Sequence, residues 1–281
     1  MKFTKMHGAG NDYVYVNCFK ETVSDPVQTS IKVSDRHFGI GSDGLILILP
    51  SEVADFKMEI YNADGSMAEM CGNGIRCVAK YVYDYGLTDQ TTITVETGAG
   101  ILTIEMYLAD GKVSRVKVDM GEPILDSASI PVVSDKNPVV ADELTVDGTT
   151  YQMTCVSMGN PHCIIFTNED ILTMAKIYGP EIEKHPYFPE KTNVEFVKVV
   201  SRNEVDMRVY ERGCGITLAC GTGACATVAA CVLNNLTEGN VRVNLLGGAV
   251  NVEWQASGQD VNKDIYLIGP AEYSFEAEYI L

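Results

Sequence analysis

The sequence predicts an α+β protein of two pseudo-symmetric halves, each a curled mixed or antiparallel β-sheet wrapped around a central helix. Three observations carry this expectation. Cys71 and Cys220 stand 149 residues apart, each directly before a Gly-x-Gly turn. Without gaps, that offset lays Asn11 on Asn160, Gly44 on Asn193, Tyr61 on Tyr210 and Gly98-Ala99-Gly100-Ile101 on Gly247-Gly248-Ala249-Val250, as a duplicated unit would. Residues 224–233 are Ala, Val, Cys and Leu except for Thr227, and a helix apolar on every side is buried on every side. At that length it is too short to span a bilayer, so sheet must surround it. Most of what remains reads as strands.

In order, residues 3–6 read as a strand that ends in the turn His7-Gly8-Ala9-Gly10-Asn11-Asp12, and 13–16 resume extended structure. Residues 25–37 form a helix or an irregular link. The loop 38–44 leads into the apolar strand 45–49, stopped by Pro50; 58–61 alternate as a strand and 62–66 turn. After Cys71, Ile75, Val78, Ala79 and Val82 fall at i, i+3, i+4 and i+7, one apolar helix face, with Gly86 as a C-cap. Strands follow near 91–97, 101–107 and 113–119. The first half is read as 1–121 and the second as 122–269, opening with a connecting segment rich in Pro, Asp and Ser; the tail 270–281 returns to the first half.

The chain has 281 residues, 46% apolar and 21% charged, an ordinary globular composition. Its formal charge of −17 argues against a nucleic-acid partner, and no apolar run is long enough for a membrane span or signal peptide. An anionic substrate would therefore be held by local donors. Nine cysteines without a C-x2-C pair give no zinc site and no disulfide framework, which places the protein in the cytoplasm. Cys18, Cys155, Cys163, Cys214 and Cys231 read as small buried hydrophobes.

Cys71 and Cys220 read differently. A thiol at a helix N-terminus has its thiolate stabilised by unpaired N–H groups and the positive end of the macrodipole. Two such thiols flanking one substrate suit inversion of a stereocentre beside a carboxylate: one thiolate removes a proton from one face while the other thiol supplies one to the opposite face. The amides of Gly72-Asn73 and Gly221-Thr222 would hold the carboxylate as it gains enediolate character. The route uses no metal and no pyridoxal phosphate. His162 either tunes a thiol or is a turn histidine bonded to backbone. Glu211-Arg212 falls where Asn62 sits in the first copy, which favours a site role over a solvated surface pair. Asn11, Asn62, Asn160 and Asn193 lie at strand-end turns made equivalent by the duplication, and are read as lining one cleft.

These residues occur in His7-Gly8-Ala9-Gly10-Asn11-Asp12, Asp35-Arg36-His37-Phe38-Gly39-Ile40-Gly41, Asn62-Ala63-Asp64-Gly65-Ser66, Met70 through Cys77, Gly159-Asn160-Pro161-His162, Thr192-Asn193-Val194-Glu195 and Glu211 through Ala226. In this order and over nearly its whole length, the chain resembles the diaminopimelate epimerase family. The resemblance implies cofactor-independent interconversion of LL- and meso-diaminopimelate in lysine and peptidoglycan precursor synthesis, by a homodimer. It implies Cys71 and Cys220 as the acid–base pair, with His162 and Glu211 adjusting their proton affinities. Asn11, Asn62, Asn160, Asn193, Glu211 and Arg212 would hold the substrate, with Gly72, Asn73, Gly221 and Thr222 on the reacting carboxylate. Gly44, where some members carry a substrate-contacting Gln, is counted with them. Met67 and Ile216 depart from the family pattern, each standing where many relatives are acidic. The rival readings are a proline or hydroxyproline racemase of the same superfamily, against which Asn62, Asn193 and Arg212 argue, and a redox-sensing cysteine pair.

Overall fold

The computed structural model describes residues 1–256 and 261–280. The chain forms two compact units, one of Met1–Asp119 with Ile268–Leu281 and one of Met120–Leu267.

The first unit runs β1 (Lys2–Gly8), β2 (Asn11–Asn17), α1 (Pro26–Ser34), β3 (Gly44–Leu49), β4 (Phe56–Asn62), β5 (Met67–Ala68), α2 (Gly72–Asp84), β6 (Thr92–Thr97), β7 (Gly100–Ala109) and β8 (Lys112–Asp119). Ala9 and Gly10 both take positive φ, 51° and 84°, the two-residue hairpin geometry whose twist matches its strands. β1 and β2 are antiparallel, β2 and β3 parallel, β3 and β4 antiparallel. β5 adds to β4 antiparallel and β6 adds to it parallel, and β7 and β8 complete an antiparallel meander.

The second unit repeats the pattern. It runs β9 (Asp142–Val146), β10 (Thr149–Ser157), β11 (Pro161–Phe166), α3 (Ile171–Glu183), β12 (Asn193–Ser201), β13 (Glu204–Glu211), β14 (Gly215–Ile216), α4 (Gly221–Leu233), β15 (Asn240–Leu245) and β16 (Gly248–Trp254). From β10 onward the pairings are those of β1 onward, including parallel β11–β12 and β13–β15. The register repeats too: Tyr13 pairs with Gly44 and His162 with Asn193, the same two positions shifted by the offset. β17 (Ile265–Gly269) then carries the chain back to the first unit, where β18 (Glu272–Glu278) lies antiparallel to β1, the final strand expected of the tail.

Each unit encloses one helix. α4 touches strands β10 to β13 and β16 and is buried along most of its length, as its composition demands. α2 departs from the expected single apolar face: every residue from Gly72 to Val82 is buried, Arg76 and Lys80 included. The charges are tolerated because they are paired. Arg76 donates to the carbonyls of Gly72 (2.8 Å) and Pro270 (3.2 Å) and to Asn73 Oδ1 (2.8 Å); Lys80 donates to Val113 O and meets Asp84 at 3.0 Å. α3 was not expected. Gly179, Pro180 and two nearby prolines weaken its helical signal, but Asp170 caps it by accepting from Thr173 N–H at 2.7 Å. Among the presumed apolar cysteines, Cys155, Cys163 and Cys231 are buried, Cys18 is partly exposed and Cys214 is exposed on the loop after Glu211. Among the described residues, no helix is long and apolar enough to cross a membrane.

Because Ile75 is fully enclosed in α2, Ile75→Ala should lower the unfolding free energy by about 2–4 kcal/mol, read as a fall in the urea midpoint at unchanged slope. Ile101→Thr, at a position 52% exposed, should change it by no more than about 0.5 kcal/mol.

Candidate active site

Cys71 and Cys220 are the N-caps of α2 and α4. Both have extended backbones, and each sulfur accepts a hydrogen bond at 3.3 Å from the amide three residues on, Gly74 or Gly223. A sulfur thus does what a Ser or Asp oxygen does at an ordinary helix start. It also lies where the first-turn amides and the macrodipole favour negative charge. Glycine follows at the third position for want of room: a Cβ on Gly74 would lie 2.7 Å from Ile46 Cδ1, and one on Gly223 would lie 2.6 Å from Glu195 Oε1.

In the first unit, the Cys71 thiol donates to Asn11 Oδ1 at 3.3 Å, an oxygen that also accepts from Asn73 Nδ2 at 3.3 Å. Asn11 is itself turned by Asp43, to whose Oδ2 it donates at 2.7 Å. Burial pushes the Cys71 thiol up from its ordinary value, while the Gly74 and Asn73 amides, the Tyr13 hydroxyl and the Arg76 charge pull it back. Tyr13 is correspondingly raised, first by the neighbouring Cys71 sulfur and then by burial. Asn62, at the end of β4, donates to Ser66 Oγ at 3.0 Å. Gly44 pairs with both Tyr13 and Asn62, and a Cβ there would meet Tyr61 O at 2.2 Å, so close strand packing accounts for the glycine.

In the second unit, Cys220 Sγ lies 3.5 Å from Thr222 Oγ1, which accepts from Asn160 Nδ2 at 3.3 Å. His162 is no turn residue: it sits in β11, fully enclosed, with Nε2 3.0 Å from Asn160 Oδ1 and Nδ1 2.7 Å from Glu195 Oε1. Burial raises Cys220 well above the ordinary cysteine value, and the carboxylates of Glu211 and Glu195 raise it further against Thr222 and the Gly223 amide. Glu211 accepts from the Thr217 hydroxyl. Asn193 is fixed at both ends of its amide, donating to Pro161 O at 2.8 Å and accepting from Arg212 N–H at 2.9 Å. The Arg212 side chain is exposed and donates to Glu190 O at 3.2 Å.

The expected residues therefore gather by unit. Asn11, Gly72 and Asn73 lie about Cys71, with Gly44 and Asn62 on the adjoining strands. Asn160, His162, Gly221 and Thr222 lie about Cys220, with Asn193 one strand away, Glu211 felt through its charge and Arg212 held through its backbone. Met67 and Ile216 occupy matching places in β5 and β14, related by the same offset. Three residues went unassigned in the sequence: Tyr13, Arg76 and Glu195. The duplication could have exposed two of them, since the offset lays Tyr13 on His162 and Ile46 on Glu195.

Comparison with known proteins shows the family of the chain. The sequence profile of diaminopimelate epimerase matches residues 3–125 and 154–274. Diaminopimelate epimerases of Acetivibrio thermocellus and Methanococcus maripaludis are 56% and 57% identical to the chain over 279 residues, covering 99% of it and 98% and 99% of their own lengths. The fold recurs in a phenazine biosynthesis protein of the PhzF family from Bacillus anthracis, at a TM-score of 0.73 and 18% identity over 100% of this chain and 99% of that one. It recurs also in a hydroxyproline epimerase from Agrobacterium vitis, at 0.68 and 14% over 99% and 90%. The chain belongs to the diaminopimelate epimerase family.

Proposed function

We propose that the protein interconverts LL- and meso-diaminopimelate, with Cys71 and Cys220 as the two proton-transferring groups and no cofactor. The observation that carries this reading is the repeated cap: in each unit a sulfur closes a buried helix through an amide at 3.3 Å, beside glycine-flanked first-turn amides. A thiolate takes the α-proton, the electron pair passes into the carboxylate, and the second thiol returns a proton to the opposite face. The two sulfurs leave the turnover with their protonation states exchanged, ready for the reverse direction. Amides of Gly72, Asn73, Gly221 and Thr222 are assigned to the carboxylate, where their pull strengthens as charge develops. Asn11, Asn62, Asn160, Asn193, Glu211 and Arg212 are assigned to the amino groups and the distal carboxylate, with Gly44 shaping the wall beside Asn62. A substrate with two polar ends uses these groups as proline would not.

The two thiols differ electrically. Arg76 lies by Cys71, whereas Glu211 and Glu195 lie by Cys220. Cys71 is therefore assigned as the thiol that ionises the more readily, and Cys220 as the one that keeps its proton. The reduced state both require suits the cytoplasm. A homodimer is also proposed, with a second copy covering β18, all seven of whose residues are exposed, Tyr273 and Phe275 among them.

In deuterated water, the reduced enzyme should incorporate deuterium at one α-carbon of diaminopimelate and none into proline or hydroxyproline. Cys71→Ala or Cys220→Ala should abolish epimerisation; full activity in either variant excludes the two-thiol scheme. The free-enzyme profile of kcat/KM should rise with pH as Cys71 ionises and fall as Cys220 ionises. Removing a carboxylate that opposes ionisation lowers the Cys220 value, so Glu211→Gln should move the alkaline limb to lower pH and leave the acid limb in place. Phe275→Asp should convert the dimer to monomer by light scattering; a monomeric parent protein would refute that assignment.

A further inference from the structure

Each unit joins its cysteine to polar neighbours through hydrogen bonds, but only in the second does the chain run back to a buried carboxyl group. Glu195 Oε1 lies 2.7 Å from His162 Nδ1, His162 Nε2 3.0 Å from Asn160 Oδ1, Asn160 Nδ2 3.3 Å from Thr222 Oγ1, and Thr222 Oγ1 3.5 Å from Cys220 Sγ. Three side chains thus join an enclosed carboxyl group to the sulfur. At the positions related by the offset, the first unit has Ile46 for Glu195, Tyr13 for His162 and Asn73 for Thr222. Ile46 and Glu195 even fill the same space, each lying where a Cβ on the glycine of the cap turn would go.

A carboxyl group in a place that tolerates isoleucine is not there for packing. Burying it is costly, and among the described residues its Oε2 has no hydrogen-bond partner, so its hydrogen bonding within the chain is directed at His162. What it can supply is direction. An Asn amide has an accepting end and a donating end. With Asn160 Oδ1 toward the ring, His162 must carry hydrogen on Nε2. With Nδ2 toward Thr222, the Thr222 oxygen already accepts, and its own O–H is left for the sulfur. As a carboxylate Glu195 can only accept, so Nδ1 carries hydrogen as well, and the ring, set between Glu195 Oε1 and Asn160 Oδ1, donates from both nitrogens.

We propose that Glu195 is a positioning residue for proton transfer at Cys220: by accepting from Nδ1–H it lets His162 carry hydrogen on both nitrogens, so that Nε2–H fixes Asn160 and orients the chain until the Thr222 hydroxyl donates to the Cys220 sulfur. The inference rests on the reading of Cys220 as an acid–base group. The donated hydroxyl favours the thiolate and offsets the carboxylates that disfavour it, so Cys220 can give up its proton and recover it within one turnover.

The test uses full-length enzyme with 15N in the histidine rings, of which the chain has four. His162 should show hydrogen on Nε2 in the parent protein and also in Glu195→Gln, whose amide can donate to Nδ1. A bare Nε2 in the parent protein overturns the proposal. In kinetics, Glu195→Leu and Thr222→Val should each lower kcat about tenfold with KM changed less than about twofold, and the double variant should lose little more than either alone. Losses that multiply to about a hundredfold overturn the proposal, because independent packing defects would do the same. Should Glu195→Leu fail to fold, Glu195→Gln decides: kcat within about threefold with Nε2–H retained supports the chain, and kcat retained with Nε2 bare overturns it. A fully active Cys220→Ala enzyme would refute the two-thiol reading and the role of Glu195 with it, whereas a bare Nε2 in an enzyme that needs Cys220 would refute the role of Glu195 alone.

Discussion

A sulfur that closes the first turn of a buried helix is the constraint on which each unit is built. To accept from the third amide, the cysteine must lie extended just outside the helix, and the glycine carrying that amide must leave room for a neighbouring strand, Ile46 on one side of the duplication and Glu195 on the other. Burying the helix on all sides then requires strands around it, and those strands end in the asparagines. The reactive atom, its amides and its polar neighbours are thus consequences of one local geometry used twice.

The duplication also shows what was changed once the frame existed. Backbone pairing between β2 and β3 recurs without a gap between β11 and β12, yet the side chains on those strands have diverged from Tyr13 and Ile46 to His162 and Glu195. Arg76 in α2 has become Cys225 in α4, and Asn62 has become Glu211. All but the exchange of Tyr13 for His162 leave the first unit in positive or neutral surroundings and the second in negative ones. Two chemically identical groups are thereby made unequal, as the proposed two-thiol reaction would require.

Much of this was legible in the residues. The offset of 149, the cysteine-led turns and the apolar run of α4 are local or periodic signals, and they located the core helices, the strands beside them and the residues grouped about each sulfur. What escaped was set by pairing and packing that no hydrophobic period announces. Arg76 and Lys80 look solvated in a helical pattern and are buried only because carbonyls and Asp84 receive their hydrogens. α3 is overlooked because Pro180 argues against it, while an N-cap and packing on β12 and β13 outweigh that cost. Glu195 stands among the apolar Val194, Phe196 and Val197, and its meaning appears only when parallel pairing sets that strand beside His162, 33 residues away. Cys214 fails the rule that free cysteines are buried because its loop must leave β13 and turn at Gly213 and Gly215, both with positive φ.

The capping role of the two sulfurs has a consequence for covalent inhibitors. An electrophile that alkylates Cys71 or Cys220 takes away a hydrogen-bond acceptor as well as a nucleophile, so the first turn of the helix loses its cap, worth about 1 kcal/mol at an ordinary helix start. Labelling would therefore register in the amide exchange of residues that never touch the reagent, beginning at Gly74 or Gly223. Serine in place of either cysteine would keep the turn closed while removing the proposed acid–base group, which makes it the gentler means of silencing one thiol in a protein meant for crystallisation with substrate.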